Sequence, residues 1–281
     1  EIERLDGLLS TGEESSEIAQ VNANGGGTLG KDASYLVERA LEFGKSTGGA
    51  FDIAIYPIMK EWGFTTGDFK VPSKETLDGL LEKTKLSDVV FDKETSTISF
   101  KTDGMRSIRR NCKRIYFYQN YGYLSGMWSK KRSGESGRKC TGTWHKTDGS
   151  KWRVAIQGVD DDDSYLGVLS ISDKASTLLL AVMSGIERWR LYSYHQSQDR
   201  ISGRWRSAVC DNRIKDGTLA DGMSTALYIM GYEKACQFWR QHREEFNVIL
   251  VTDDGKIHIS ENLKENFQTE CDLEMIESGS E

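Results

Sequence analysis

Asp221 and Thr225 stand four residues apart in the segment Ala220-Asp-Gly-Met-Ser-Thr-Ala-Leu-Tyr-Ile-Met-Gly231. On a helix that spacing puts both side chains on one face, so a carboxylate and a hydroxyl are presented together. Hard oxygen donors of this kind suit magnesium, which takes oxygen ligands and keeps several of its waters. Ser224 would contribute its carbonyl or its hydroxyl beside them. An isolated aspartate before Met-Ser-Thr-Ala-Leu also has a second reading, as the capping residue of a helix N-terminus.

A second segment with chemical content is Thr47-Gly-Gly-Ala-Phe-Asp52. Its glycines allow backbone to come close to a bound group where no side chain intrudes. Phe51 taken alone reads as a core residue, and so does Trp62. Ser10-Thr-Gly12 reads as a loop turn. The acidic run Asp160–Asp163 has the charge for a cation site, but a solvated loop is the simpler reading of such a run. The cysteines (Cys112, Cys140, Cys210, Cys236 and Cys271) are odd in number and form no CxxC pair, so they read as free thiols.

The elements that must position these residues are legible over much of the chain. Ile2, Leu5, Leu8 and Leu9 fall on one helical face, and a polar loop follows through Ser16. Asn24-Gly-Gly-Gly-Thr28 reads as a turn. Ala33–Lys45 reads as an amphipathic helix with Tyr35, Leu36, Ala40 and Phe43 inward. Val89 to Phe100 alternates about a polar centre, which predicts a β-hairpin. Trp152–Gln157 and Gly167–Ile171 are strand-like, and from Asp216 to Ser260 the pattern gives two helices and a hairpin.

Three stretches, 105–122, 128–143 and 176–213, lack sustained periodicity and fit no element. They hold twelve of the seventeen arginines. No proline follows Pro72, where average usage of about 5% would place roughly ten.

At 281 residues the chain can bury a substantial core. With 37% hydrophobic and 28% charged residues it reads as a globular protein. Its net charge of -6 argues against a general nucleic-acid binder, which is usually basic. No apolar run approaches the roughly 18 residues of a membrane span. Glu1 opens within an amphipathic pattern rather than a targeting segment, so a first strand or leader is expected to precede it.

Several segments carry a resemblance. Leu5-Asp-Gly-Leu-Leu-Ser-Thr-Gly12 and Ser16-Glu-Ile-Ala-Gln-Val-Asn22 resemble the N-terminal helix and loop of the ApbE family of FAD:protein FMN transferases, formerly called thiamine biosynthesis lipoproteins. The stretch from Ser46 to Phe64 is similar to that family's TGGAFD…P…WGF signature, and Ala220 to Gly231 to its AD…TAL…G signature. Roughly two thirds of the chain is covered. The resemblance implies one domain over residues 1–281 with an α+β fold, helices packed on mixed β-sheets and a cofactor cleft between two lobes. It implies magnesium-dependent transfer of FMN from FAD to a threonine or serine of an acceptor protein, with AMP released. Asp221, Ser224 and Thr225 would then bind the metal, the signature favouring that role over capping. Ala50, Phe51 and Asp52 would contact FAD, and Gly12 would lie at the isoalloxazine edge. Nucleic acid is not an expected partner. An extracytoplasmic site is implied, with membrane attachment only through a lipoprotein anchor that this chain does not contain.

The family's remaining signatures, DLGGIAKGY, TSGGYERY and HIINPKTGYPAD, are absent, and the aperiodic stretches stand where they belong. Arg109-Arg-Asn-Cys-Lys-Arg-Ile-Tyr-Phe117 can be encoded AGG CGG AAT TGC AAA AGG ATA TAC TTC. Moved by one base, that string reads Gly-Gly-Ile-Ala-Lys-Gly-Tyr-Thr-Ser. His195 to Arg204, moved by one base, can read Ile-Asn-Pro-Lys-Thr-Gly-Tyr-Pro-Ala-Asp. Leu178–Ile186, moved by two, can read Thr-Ser-Gly-Gly-Tyr-Glu-Arg-Tyr. Three family motifs emerging in family order point to frameshifted segments. The family's histidine falls across the codons of Ser193 and Tyr194, so His195 is a coincidental neighbour without a role. A catalytically dead remnant is one alternative. Another is an anion- or nucleic-acid-binding protein using Arg106–Arg114 and Lys130–Lys139, but the shifted codons account for those arginines without selection.

Overall fold

The computed structural model describes residues 2–10, 13–63, 68, 70–102, 139–142, 150–157, 165–171, 176–180, 206–210, 217–252 and 254–277. The chain divides into two compact units, Glu1–Phe117 and Tyr118–Glu281.

In the first unit, helices α1 (Ile2–Leu9) and α2 (Glu17–Asn24) precede strand β1 (Gly26–Thr28) and the long helix α3 (Lys31–Ser46). Ser16 starts α2 because its hydroxyl accepts the Ala19 N–H at 3.0 Å, satisfying one orphan donor of the first turn. Gly25 ends α2 in the left-handed region, φ 71°, which costs glycine nothing. Leu36, Ala40 and Phe43 of α3 are buried as the helical period predicts, while Tyr35 is half-buried. Helices α4 (Tyr56–Glu61) and α5 (Lys74–Leu81) follow, then the hairpin of β2 (Val89–Asp92) and β3 (Thr97–Phe100). Asp92 closes its turn by accepting the Glu94 N–H at 2.9 Å.

The predicted turn at Asn24–Thr28 is a correction. Only Gly25 turns. Gly26–Thr28 is a strand beside β3, giving the antiparallel order β1-β3-β2. A Cβ on Gly26 would stand 2.7 Å from the Ile98 carbonyl oxygen, so the glycines that suggest a turn serve a close strand approach instead.

The second unit holds two sheets. Strands β5 (Trp152–Gln157), β6 (Tyr165–Ile171) and β11 (Phe267–Gln268) form the order β11-β6-β5. The larger sheet contains β4 (Lys139–Gly142), β7 (Ser176–Leu180), β8 (Arg206–Cys210), β9 (Asn247–Val251), β10 (Ile257–Ile259) and β12 (Leu273–Met275), ordered β12-β10-β9-β8-β7-β4. Only the β10–β12 pair is parallel, so the sheet is mixed, as expected. Ile156 and Leu169 of the smaller sheet pack with Ile249, Val251, Ile257 and Ile259 of the larger. Helices α6 (Gly217–Met230) and α7 (Tyr232–Gln241) complete the unit.

Strands β4, β7 and β8 correct the reading that 128–143 and 176–213 fit no element. β8 runs antiparallel to β9, every residue of which is buried, and β7 pairs with β8. A ladder is made by backbone groups, so a neighbour already held in a core can recruit a strand whose side chains show no period. The rest of those stretches, including most of 105–122 with Arg109, Arg110 and Trp128, lies outside the described residues, as does the loop at Asp160–Asp163. No helix among the described residues is long and apolar enough to cross a membrane.

Candidate functional site

Helix α6 runs from Gly217 to Met230, so Asp221 lies four residues past its first residue. An interior position rules out the capping reading of Asp221, the alternative that the signature disfavours. The helix backbone sets Asp221 and Thr225 one turn apart; their side chains lie outside the described atoms. Ser224 is fully buried and has a partner, and its neighbours Met223, Ala226 and Leu227 are buried with it. An interior helical carbonyl is already used by the residue four further on, so Ser224 would bring its hydroxyl rather than its carbonyl.

The glycine segment is built around Thr47, which is 6% exposed. Its hydroxyl donates to the Phe43 carbonyl at 2.6 Å and accepts the Phe51 N–H at 3.0 Å. Gly49 donates back to the Gly44 carbonyl at 2.8 Å, and Gly48 and Gly49 hold φ of 59° and 86°. The chain thus leaves α3 through two left-handed residues that glycine adopts without strain. The sequence did not single out Thr47 as this clamp; its position four residues after Phe43 is the signal that could have. Replacing Thr47 by valine removes both bonds at a buried site, and chemical denaturation should show a loss of roughly 1–3 kcal/mol.

Ala50 and Phe51 are buried, and the Phe51 ring meets Phe43 edge-on with centroids 6.0 Å apart. Asp52 differs, being half-buried, with Oδ1 accepting the Ala54 N–H at 2.6 Å. Burial pushes its carboxyl up to about 6, against the pull of that N–H. The fold thus favours the protonated acid, and this contribution to stability, full below the ordinary carboxyl value near 3.8, is lost as pH rises through about 6. Asp52→Asn keeps an acceptor for Ala54 and removes the titration. It should be roughly 1–3 kcal/mol more stable than the parent at pH 7.5, with the difference fading towards pH 4. A parallel pH dependence of the two melting curves would contradict this.

Gly12 lies outside the described residues. Ser16 fixes the near end of its loop, donating to the Ser10 carbonyl. Trp62, expected in the core, is 8% exposed. Cys236 and Cys271 are free thiols, as expected. Among the described residues no cluster of three His, Cys, Asp or Glu side chains could hold a metal. The glycine segment belongs to the first unit and α6 to the second.

The sequence profile of the ApbE family matches residues 1–107 and 136–250, well over half of the chain. The chain belongs to the ApbE family. An FAD:protein FMN transferase of Klebsiella pneumoniae (strain 342) is 23% identical, over 92% of this chain and 82% of its own. The ApbE protein of Thermotoga maritima superposes with a TM-score of 0.74 at 20% identity, over 94% of this chain and 87% of that one. Flavin transferase ApbE of Vibrio cholerae gives 0.70 at 19%, over 94% and 88%. The ApbE-like α+β fold expected from the two signatures is thereby established.

Proposed function

We propose that the chain is built for magnesium-dependent transfer of FMN from FAD to a threonine or serine of an acceptor protein, with release of AMP. The observation that carries this is the family match over 1–107 and 136–250, which contains both the glycine segment and α6. The named relatives that act as flavin transferases support the same reaction. The donor set on α6 fits the metal: a carboxylate and two hydroxyls are hard oxygen ligands, and Asp221, Ser224 and Thr225 would hold it. A bound magnesium would neutralise the diphosphate and orient it for in-line attack. Ala50, Phe51 and Asp52 would contact the flavin end of FAD, with Gly12 at the ring edge. By the same family reading the protein would work outside the cytoplasm, tied to a membrane only through a lipoprotein anchor.

A second reading, a catalytically dead remnant, is favoured by one observation. The family match breaks off between 107 and 136, where Arg109 and Arg110 stand in place of the glycines of the phosphate-binding motif. Glycines at such a motif let backbone N–H groups reach a phosphate, and arginine in their place brings bulk where the motif has none. The test is transfer of FMN from FAD, with magnesium, to a peptide or domain bearing the acceptor threonine, followed by flavin fluorescence and AMP release. Labelling above the metal-free control supports the transferase. Absence of labelling in both this chain and a frame-restored version would sink it.

A further inference from the structure

Outside the residues already discussed, the second unit contains a buried polar cluster where three elements meet. His258, in the middle of β10, is 7% exposed. Its Nδ1 lies 2.9 Å from the Tyr232 hydroxyl, and the two rings stack at a tilt with centroids 4.6 Å apart. The same Nδ1 is 3.5 Å from the Glu274 carboxylate on β12, the residue directly beside it in the parallel ladder. One ring nitrogen therefore faces two competing partners, an uncharged hydroxyl on α7 and an anion on the last strand.

The surroundings complete the picture. From α7, Cys236 interacts with the Tyr232 hydroxyl, and the Arg240 charge is felt at both. From the turn before β10 come Asp254 and Lys256, the latter 3.1 Å from Glu274. β9 offers only Leu250 opposite His258. The last strand is otherwise held by short backbone bonds, Ile257 N–H to the Asp272 carbonyl at 3.0 Å and Ile276 N–H to the Ile259 carbonyl at 2.9 Å. Arg240 also donates to the Glu277 carbonyl at 2.8 Å.

We propose that His258 is a partner-switching residue that makes the α6–α7 corner and the last strand respond oppositely to acid. When the ring is neutral, Nδ1 accepts the Tyr232 hydroxyl proton, and the first residue of α7 is tied to the sheet. Once Nδ1 carries a proton, Tyr232 can no longer donate there, and the N–H⁺ turns from the neutral phenol oxygen to the Glu274 carboxylate, the stronger charge-assisted acceptor. Tyr232 follows Gly231, whose φ of 80° makes the corner at which α6 ends. Losing the tie therefore loosens that corner, while the new charge pair tightens β12. Burial of the ring holds its titration below the ordinary histidine value, so the change occurs on the acid side of neutrality.

Imidazole NMR of the full chain tests this, since there are only four histidines and His258→Gln assigns the signal. The neutral ring should be the Nε2–H tautomer. Tyr232→Phe removes the partner of the neutral form and should raise the His258 midpoint, and Glu274→Gln removes the partner of the charged form and should lower it. Each shift should be about half a pH unit or more. Amide exchange of the unmutated protein, corrected for intrinsic rates, gives a second arm. Between pH 7.5 and 5, protection should fall in the first turn of α7 and rise at Met275 and Ile276. A neutral Nδ1–H tautomer, shifts of the same sign in the two variants, or protection that changes equally at both places would overturn the proposal.

Discussion

A version of the protein with the reading frame restored across residues 105–213 should transfer FMN at least about 100-fold faster than the chain as it stands. On the shifted-codon reading two losses add in the present sequence. Ile108, Arg109 and Arg110 would stand where the family has its glycine-rich approach to phosphate, and Ser193 and Tyr194 where it has the histidine before the INPKTG motif. A positioned general base alone is typically worth about 10²- to 10⁴-fold in rate. The arginine charges would still attract a diphosphate, but loosely, without the close N–H contacts that fix it for in-line attack. The comparison needs equal concentrations, saturating FAD and magnesium, and one acceptor. Equal rates would show either that those motifs are dispensable or that the shifted codons have another origin.

In the frame-restored protein, Asp221→Asn and Thr225→Val should each reduce transfer by about 100-fold or more, and excess magnesium should partly rescue the weaker of the two losses. A metal that neutralises a diphosphate contributes several kcal/mol to the transition state, so loss of a charged ligand costs more than loss of a hydroxyl. Asp221→Asn should therefore be the more damaging. Isothermal titration of magnesium in the presence of FAD separates this from misfolding, because a folded variant with weakened metal affinity shows the same melt and a changed titration. Unaltered magnesium affinity in both variants would remove α6 from the metal site.

Much of the scaffold can be read from the sequence wherever one face of an element is buried. α3, the β2–β3 hairpin, β5, β6, α6 and α7 follow the hydrophobic period because burial on one side forces it, whereas β9 and β10 are buried at every residue and β9 reads as a short apolar run. What escapes the sequence is fixed by contacts distant along the chain. Gly26 is a strand residue because the Ile98 carbonyl lies against it, and nothing local to Asn24–Thr28 announces that neighbour. β7 and β8 exist through their ladder with β9. On the site itself, the two signatures point to Ala50–Asp52 and Asp221–Thr225, but burial separates their roles. Phe51 and Ser224 are enclosed, whereas Asp52 is left half-open with its carboxyl raised towards neutrality. Such differences arise from the depth of each side chain, which residue type and spacing do not encode.

The ladder from β9 to β4 has a consequence for how members of this family are recognised. Backbone amides do not distinguish the reading frame that produced them, so a central buried strand templates its neighbours from whatever extended chain is adjacent. Architecture and chemistry are consequently under unequal mutational exposure: a phosphate-binding loop depends on which side chains it carries, a paired strand far less. Soluble expression, a cooperative melt or a good superposition on a working relative therefore tests the architecture and not the chemistry. In an ApbE gene pool, the census of folded proteins should therefore exceed the census of competent enzymes.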